Sequence, residues 1–265
     1  MKIIVNADDF GLSHEKNVAI DKMMRQGVCM KASLVVNTEY TEEAVEMAIR
    51  GGYGERLSLH INLTEGRPLS TEILSVPLYC TPEGSFQPRY IIKHNAQIMP
   101  FHIAVIRKEI ACQIEKFQEY GFKCYSVDSH NWVHLRIPVW LALKPLIKKY
   151  DIKVVRPMFE GYKRPEIASK KWSRYFSIYG SYISRHACCK KIRWTSNLEQ
   201  FLLAKKCFSE EDLVEVFTHP VMKDGNIIDS SSWYNDKGSV HFMKEIVDSL
   251  ATFDKVLLSD YMEMK

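Results

Sequence analysis

Along the chain, short β-branched runs alternate with longer stretches whose apolar residues return every three or four positions. The first run, Ile3-Ile4-Val5-Asn6-Ala7, ends at Asp8, Asp9 and Gly11 and predicts a buried parallel strand with acids at its C-terminal end. Over residues 14–26, Val18, Ile20, Met23 and Met24 recur at helical spacing, and Gly27 closes the run. Residues 31–37 predict a second strand. Residues 41–49 predict a helix with Thr41 as its cap and acids in its first turn, stopped by Gly51 and Gly52. Alternation over residues 56–63 predicts a third strand. The pattern then lapses over residues 64–97, a stretch punctuated by proline and glycine; so long a loop inside a compact domain is usually functional or a lid.

The second half repeats the theme. A helix is expected over residues 101–120, strands over 122–130 and 152–156, and a helix between them over 137–149. Residues 159–186 are aromatic and basic without a clear period. Short strands are expected at 191–194, 213–220 and 255–259. Repeated strand–helix units imply parallel strands covered by helices, and residues 1–265 read as one α/β domain.

Polar residues gather at the C-terminal ends of these strands: Asp8 and Asp9, His60 and Asn62, Asp128 and His130, Arg156, and His219. In a β/α barrel such ends share one face, and in an open doubly wound sheet they share one edge, so a common site is expected in either fold. Adjacent side chains on an extended strand point to opposite faces, so Asp8 and Asp9 meet in one pocket only where their strand breaks into its loop. Two carboxylates placed there repel unless a cation or a proton relieves them. The plainer reading makes them a helix cap and a loop acid.

Composition narrows the partners. With 36 basic against 32 acidic residues the net charge is +4, too balanced to imply nucleic acid. Basic clusters at Lys148-Lys149, Lys163-Arg164, Lys170-Lys171 and Lys190 to Arg193 are either solvated surface or an attraction for an anionic substrate. Seven cysteines without a CxxC pair, two of them the adjacent Cys188 and Cys189, suit neither a zinc knuckle nor a redox motif, so reduced thiols are expected. No signal core or membrane-length apolar run is seen, and a cytoplasmic protein without a membrane partner is the expectation.

A carboxylate with two imidazoles is a common set for a catalytic divalent metal, and Asp9, His60 and His130 are the candidate ligands. Each histidine taken alone is as readily a satisfied core residue. No short-spaced motif such as HExxH adds support.

Four motifs nonetheless stand in a recognisable order: Asn6-Ala7-Asp8-Asp9-Phe10-Gly11, His60-Ile61-Asn62-Leu63-Thr64-Glu65-Gly66, Asp128-Ser129-His130 with His134, and His219-Pro220. In these the chain resembles the YdjC/ChbG-type carbohydrate deacetylases from its first strand to its last. The resemblance implies a distorted, incomplete (β/α) barrel with its active site at the C-terminal strand ends. It implies a divalent metal, Mg or Zn, removal of N-acetyl groups from amino sugars such as chitin-derived oligosaccharides, and a homodimer. It assigns the metal to Asp9, His60 and His130, makes Asp8 the base and makes His219 its catalytic partner. Arg156 either holds Asp8, binds an anionic substrate group or forms a structural ion pair; it is counted with Asn62 and Trp132 among the expected substrate contacts. Trp132 is a departure, because the family motif usually has histidine there; an indole suits either stacking on a sugar or core packing. A glycosidase with Asp128 as second acid, a metal phosphoesterase and a non-catalytic sugar-binding protein are the competing readings.

Overall fold

The computed structural model describes residues 1–87, 99–156, 192–197, 201, 209–230, 248 and 250–258. Its main sheet is parallel, with β1 (Lys2–Phe10), β2 (Lys31–Leu34), β3 (Leu57–Ile61), β4 (Ser126–Ser129) and β5 (Val154–Val155) adjacent in chain order. On the other side of β1 stand β7 (Leu213–Thr218) and then β6 (Ile192–Asn197). The short β10 (Asp254–Lys255) also pairs with the start of β1. Helices α1 (His14–Arg25), α2 (Thr41–Gly51), α3 (Thr71–Leu74), α4 (Pro100–Glu119) and α5 (Ile137–Lys149) intervene between the first five strands. The result is a parallel sheet curled into a half-barrel flanked by helices.

Strand alternation fixes what each face carries. Ile3, Val5, Ala7, Ala32, Leu34, Leu59, Ile61, Val127, Val155, Val214 and Val216 lie in the core cluster that includes the helices' apolar residues. Their neighbours in sequence point the other way, and there Asn6, Asp8, Lys31, Ser33, Ser58, His60, Ser126, Asp128 and Glu215 are all buried. The inner face of the half-barrel is thus polar and closed to water. A small apolar floor of Ile4, Val154, Leu213 and Leu258 lies beneath it.

Local chemistry explains most element ends. Ser13 caps α1 by accepting from the Lys16 amide at 3.3 Å. Pro100 opens α4 where its missing N–H costs nothing. Thr41, expected as a cap, does not cap α2: its hydroxyl donates to the Val35 carbonyl at 3.0 Å, tying helix to strand. The strand expected over 122–130 is shortened to β4, because His130 already belongs to a 3₁₀ turn, His130–Leu135, in which Asn131 and Trp132 are left-handed. The strand expected over 213–220 divides into β7 and β8 (Pro220–Lys223), and β8 forms a hairpin with β9 (Asn226–Asp229). Asp224-Gly225, both at positive φ, make its two-residue turn. The final strand is only the short β10. Of residues 64–97, the described part holds α3 and an isolated antiparallel bridge between Cys80 and Phe86. The stretch 159–186 and the basic clusters at 163–164, 170–171 and 190–191 lie outside the described residues, as do Cys188 and Cys189. Among the described residues the cysteines are free, and no helix is long and apolar enough to cross a membrane.

Gly11 turns the chain out of β1 with φ at +89°, and a Cβ there would sit 2.6 Å from the Val35 carbonyl oxygen. Gly27, at +67°, has nothing within 4 Å of its would-be Cβ. Gly11→Ala should therefore lower unfolding stability by about 1–3 kcal/mol, clearly more than Gly27→Ala, in urea melts of the two variants.

Candidate active site

β1 delivers two carboxylates to one pocket by breaking its own geometry. Alternation aims Asp8 at the inner face with Asn6. Asp9 then takes a left-handed φ of 71°, and the register against β2 shifts between Ala7 and Phe10. This kink returns the Asp9 side chain to the side that Asp8 occupies. The turn that follows is held by the Gly11 amide, which donates to Asn17 Oδ1 of α1 at 2.7 Å. Both acids are buried.

Around Asp9 three elements converge. Its Oδ1 lies 3.2 Å from His60 Nε2 at the end of β3 and 2.7 Å from His130 Nδ1 just beyond β4. Its Oδ2 accepts from Lys16 Nζ of α1 at 2.9 Å, and Lys16 also reaches Ser230 at 3.3 Å. Each imidazole uses its other nitrogen on a further carboxylate: His60 Nδ1 lies 2.6 Å from Asp128, and His130 Nε2 lies 2.9 Å from Glu65. Burial disfavours charge on Asp9, yet His130 and Lys16 outweigh it and hold the carboxyl well below its usual range. Burial likewise opposes protonation of His60, but Asp128 prevails and raises its pKa to about 9. For His130, burial is overcome chiefly by Asp9, with Glu65 adding to it, and the pKa rises to about 10.

Asp8 sits in a second charged cluster. Arg156, at the end of β5, grips it through both terminal guanidinium nitrogens at 2.7 Å and also reaches Asp128 at 2.8 Å and Glu215 of β7 at 3.2 Å. Lys31 at the start of β2 lies 2.8 Å from Glu215 and 3.5 Å from Asp128. Ser33 donates to Asp128 at 2.6 Å, and the Asn6 amide donates to both Ser33 and Asp8. His219, in the link from β7 to β8, stands 3.9 Å from Asp8 Oδ2 with part of its ring exposed. Its backbone amide donates to Asp229 at 3.2 Å, which the β8–β9 hairpin makes possible. Trp132 packs edge-on to Phe217 with ring centres 5.3 Å apart, and both rings lie against the Arg156 guanidinium.

Asp8, Asp9, His60, His130, Arg156, Trp132 and His219 are therefore brought together, and Asn62 is not a lining residue. Asn62 is fully buried; its amide donates to Asn37 and the Glu65 carbonyl, and its oxygen accepts from the Thr64 and Glu65 amides. With donors and acceptor already engaged, its side chain builds the loop. Arg156 is buried under Trp132 and Phe217 and places its charge against three carboxylates, which matches the expectation that it holds Asp8 in place. His134 sits apart from the cluster of possible ligands. Its Nε2–H donates to the Arg156 carbonyl at 3.1 Å while Ser129 contacts Nδ1, and burial, helped by Arg156, pushes its pKa down to about 4. Lys16, Lys31, Glu65, Ser33 and Glu215 were invisible to a reading of strand ends. The signal for Lys31, Ser33 and Glu215 was there: each interrupts an apolar strand at alternate positions.

Asp9, His60 and His130 offer ligand atoms that lie within 4.8 Å of one another and can hold a metal ion; Asp8, His60 and Asp128 form a second such group. The first fits better, because Arg156 already engages both Asp8 and Asp128. Charge balance fits a dication too. Five carboxylates (Asp8, Asp9, Glu65, Asp128 and Glu215) meet three fixed cations, Lys16, Lys31 and Arg156, so two positive charges are wanting. Protons on His60 and His130 supply them, and one divalent ion would replace those protons.

The family model for YdjC-like protein matches residues 2–246. The chain belongs to the YdjC-like family. Among its relatives in the family, a carbohydrate deacetylase of Brevibacillus brevis is 30% identical over 241 residues, covering 88% of this chain and 86% of its own length. A carbohydrate deacetylase of Clostridium beijerinckii is 28% identical over 234 residues, with the same coverage. A crystal structure from Enterococcus faecalis V583, described as a candidate cellobiose-phosphate cleavage protein, superposes with a TM-score of 0.67 over 98% of each chain at 19% identity. It establishes the likeness of fold.

The raised imidazole pKa values give this YdjC-like protein a defined pH signature. Protonation of His60 and His130 contributes stability that is complete below the unfolded value of 6.5 and is lost as pH rises through about 9 to 10. Metal-free protein should accordingly lose stability over that interval in thermal melts. Titration with Zn²⁺ at pH 7 in two buffers of different ionisation enthalpy should report release of about two protons per ion bound.

Proposed function

We propose that this YdjC-like protein is a metal-dependent deacetylase that removes N-acetyl groups from amino sugars. One observation carries the reading: a carboxylate and two imidazoles from three strand ends meet at one point, with the second carboxylate of the same strand beside them. The relatives named carbohydrate deacetylase, matched over most of their length, support the sugar and the acetyl group.

Asp9, His60 and His130 would hold the ion, and a divalent cation there supplies an acidified water and a polarised acetyl carbonyl. Mg²⁺ and Zn²⁺ are both compatible with the donors, two imidazoles favouring zinc. Asp8 accepts the water proton. A carboxylate has about four acceptor sites; Arg156 fills two on Asp8 and Asn6 a third on Oδ1, leaving a site on Oδ2, the oxygen nearest His219. Arg156 therefore fixes the direction of that remaining lone pair. His219 donates to the departing nitrogen as the amide C–N bond breaks, releasing acetate and the free amino sugar. Trp132 and Phe217 give this side of the site an aromatic wall against which a sugar ring or the acetyl methyl packs. Chitin-derived oligosaccharides, free or phosphorylated, are the substrates the family resemblance suggests, with a cytoplasmic homodimer as the form of the enzyme.

The glycosidase alternative is disfavoured by Asp128, which is fully buried between His60, Lys31 and Arg156 and has no path to a glycosidic oxygen. Acetate release from an N-acetylglucosamine oligomer tests the proposal directly. Asp8→Asn should keep its metal and lose about 10²–10⁴-fold in kcat. His60→Ala should lose the metal itself. A folded, metal-loaded Asp8→Asn protein that deacetylates at the normal rate would remove Asp8 from the mechanism.

A further inference from the structure

Both imidazoles of the candidate centre are backed by a carboxylate, but the two backings are built differently. Asp128 behind His60 is rigid, fully buried and shared with Lys31 and Arg156. Glu65 behind His130 is half-exposed at the mouth of the site. His130 has particular need of an anchor, since the two residues after it, Asn131 and Trp132, are both left-handed. Such backbone persists only when neighbouring contacts over-determine it.

Those contacts come from the loop that follows β3. Asn62 knots this loop through its amide, as described above. Gln113 of α4 holds the Asn62 backbone on both sides, accepting from its amide at 3.0 Å and donating to its carbonyl at 2.7 Å. Glu109, one turn earlier, accepts from Gln113 at 2.8 Å and from the Ser70 amide at 2.7 Å. Asn131 reaches back to the Thr64 hydroxyl at 3.1 Å, joining the two loops next to the Glu65–His130 contact.

We infer that Glu65 is a positioning residue that fixes the His130 ring, through Nε2, with Nδ1 aimed at the ion shared with Asp9 and His60. The inference rests on the metal reading proposed above. With His130 donating from Nε2 to Glu65, Nδ1 is left as the lone-pair nitrogen, and the outer carboxylate raises its basicity as a ligand. Glu65 touches neither the ion nor the reacting atoms in this role.

Zn²⁺ affinity by competition calorimetry, on wild type, Glu65→Ala and Glu65→Gln, tests it. Loss of an outer-shell partner should weaken binding about 10–100-fold in Glu65→Ala. Glu65→Gln, whose amide oxygen still accepts from Nε2–H, should recover most of that loss. The visible spectrum of Co²⁺-loaded protein should shift in the alanine variant and return toward wild type in the glutamine variant. The metal-free melting temperature of Glu65→Ala should fall only by what the lost Glu65–His130 ion pair explains, well short of the loss in affinity. Unchanged affinity in Glu65→Ala overturns the inference. So does a fall in metal-free melting temperature that accounts for the lost affinity, since Glu65 would then only hold the loop. Wild type that binds no divalent ion would bring down the metal reading itself, and this inference with it.

Discussion

Arg156 reaches Asp8 on β1, Asp128 on β4 and Glu215 on β7 from the end of β5. In sheet order, β4, β3, β2 and β1 stand between β5 and β7. A flat sheet would set those two strands about 24 Å apart, at roughly 4.8 Å per step. The 3.2 Å contact between Arg156 and Glu215 therefore requires the sheet to curl until its two sides nearly meet. The same curl brings His60 and His130 to Asp9. One buried guanidinium thus reports the closure on which the candidate site depends. Its removal would leave Asp8 without its close cation and Asp128 and Glu215 sharing Lys31 in a dry interior, a loss of about 3–5 kcal/mol for a broken buried pair.

Charge governs the site as much as shape does. Carboxylates outnumber the fixed cations on the inner face by two, one in excess where Asp9 and Glu65 face Lys16 and one where Asp8, Asp128 and Glu215 face Lys31 and Arg156. Protons on two histidines meet it in the structure described, at the expense of imidazole pKa values far above the ordinary one. A divalent ion meets the same deficit at neutral pH without protonated imidazoles. The fold thus stores an electrostatic demand at the place where the proposed chemistry needs a Lewis acid.

Positioning is layered outward from there. Asp128 and Glu65 hold the two imidazoles, Lys16 holds the far oxygen of Asp9, and His134 holds the Arg156 backbone. His134 does this with a proton on Nε2, because a backbone carbonyl accepts and never donates, and it does so as the neutral tautomer. Its burial beneath the positively charged Arg156 keeps it in that state. The third motif thus contains two histidines of opposite character, one driven toward the charged form and one away from it.

Much of this was legible along the chain. Period and punctuation located the strands and helices, and the residues at strand ends included both acids and the histidines that meet at the site. Lys31 alternates with Ser33 as Ser58 does with His60, and together these pairs mark a polar inner face rather than decorated strand ends. What no local pattern decides is where side chains go once distant strands close on one another. Asn62 and Arg156 look like substrate contacts in one dimension, yet one is consumed by its own loop and the other by three acids from separate strands. The left-handed turn at Asp9 is likewise invisible in a run of six letters, because aspartate tolerates that backbone without requiring it. Residue types determined the available chemistry; curvature and one backbone kink decided which of them face one another.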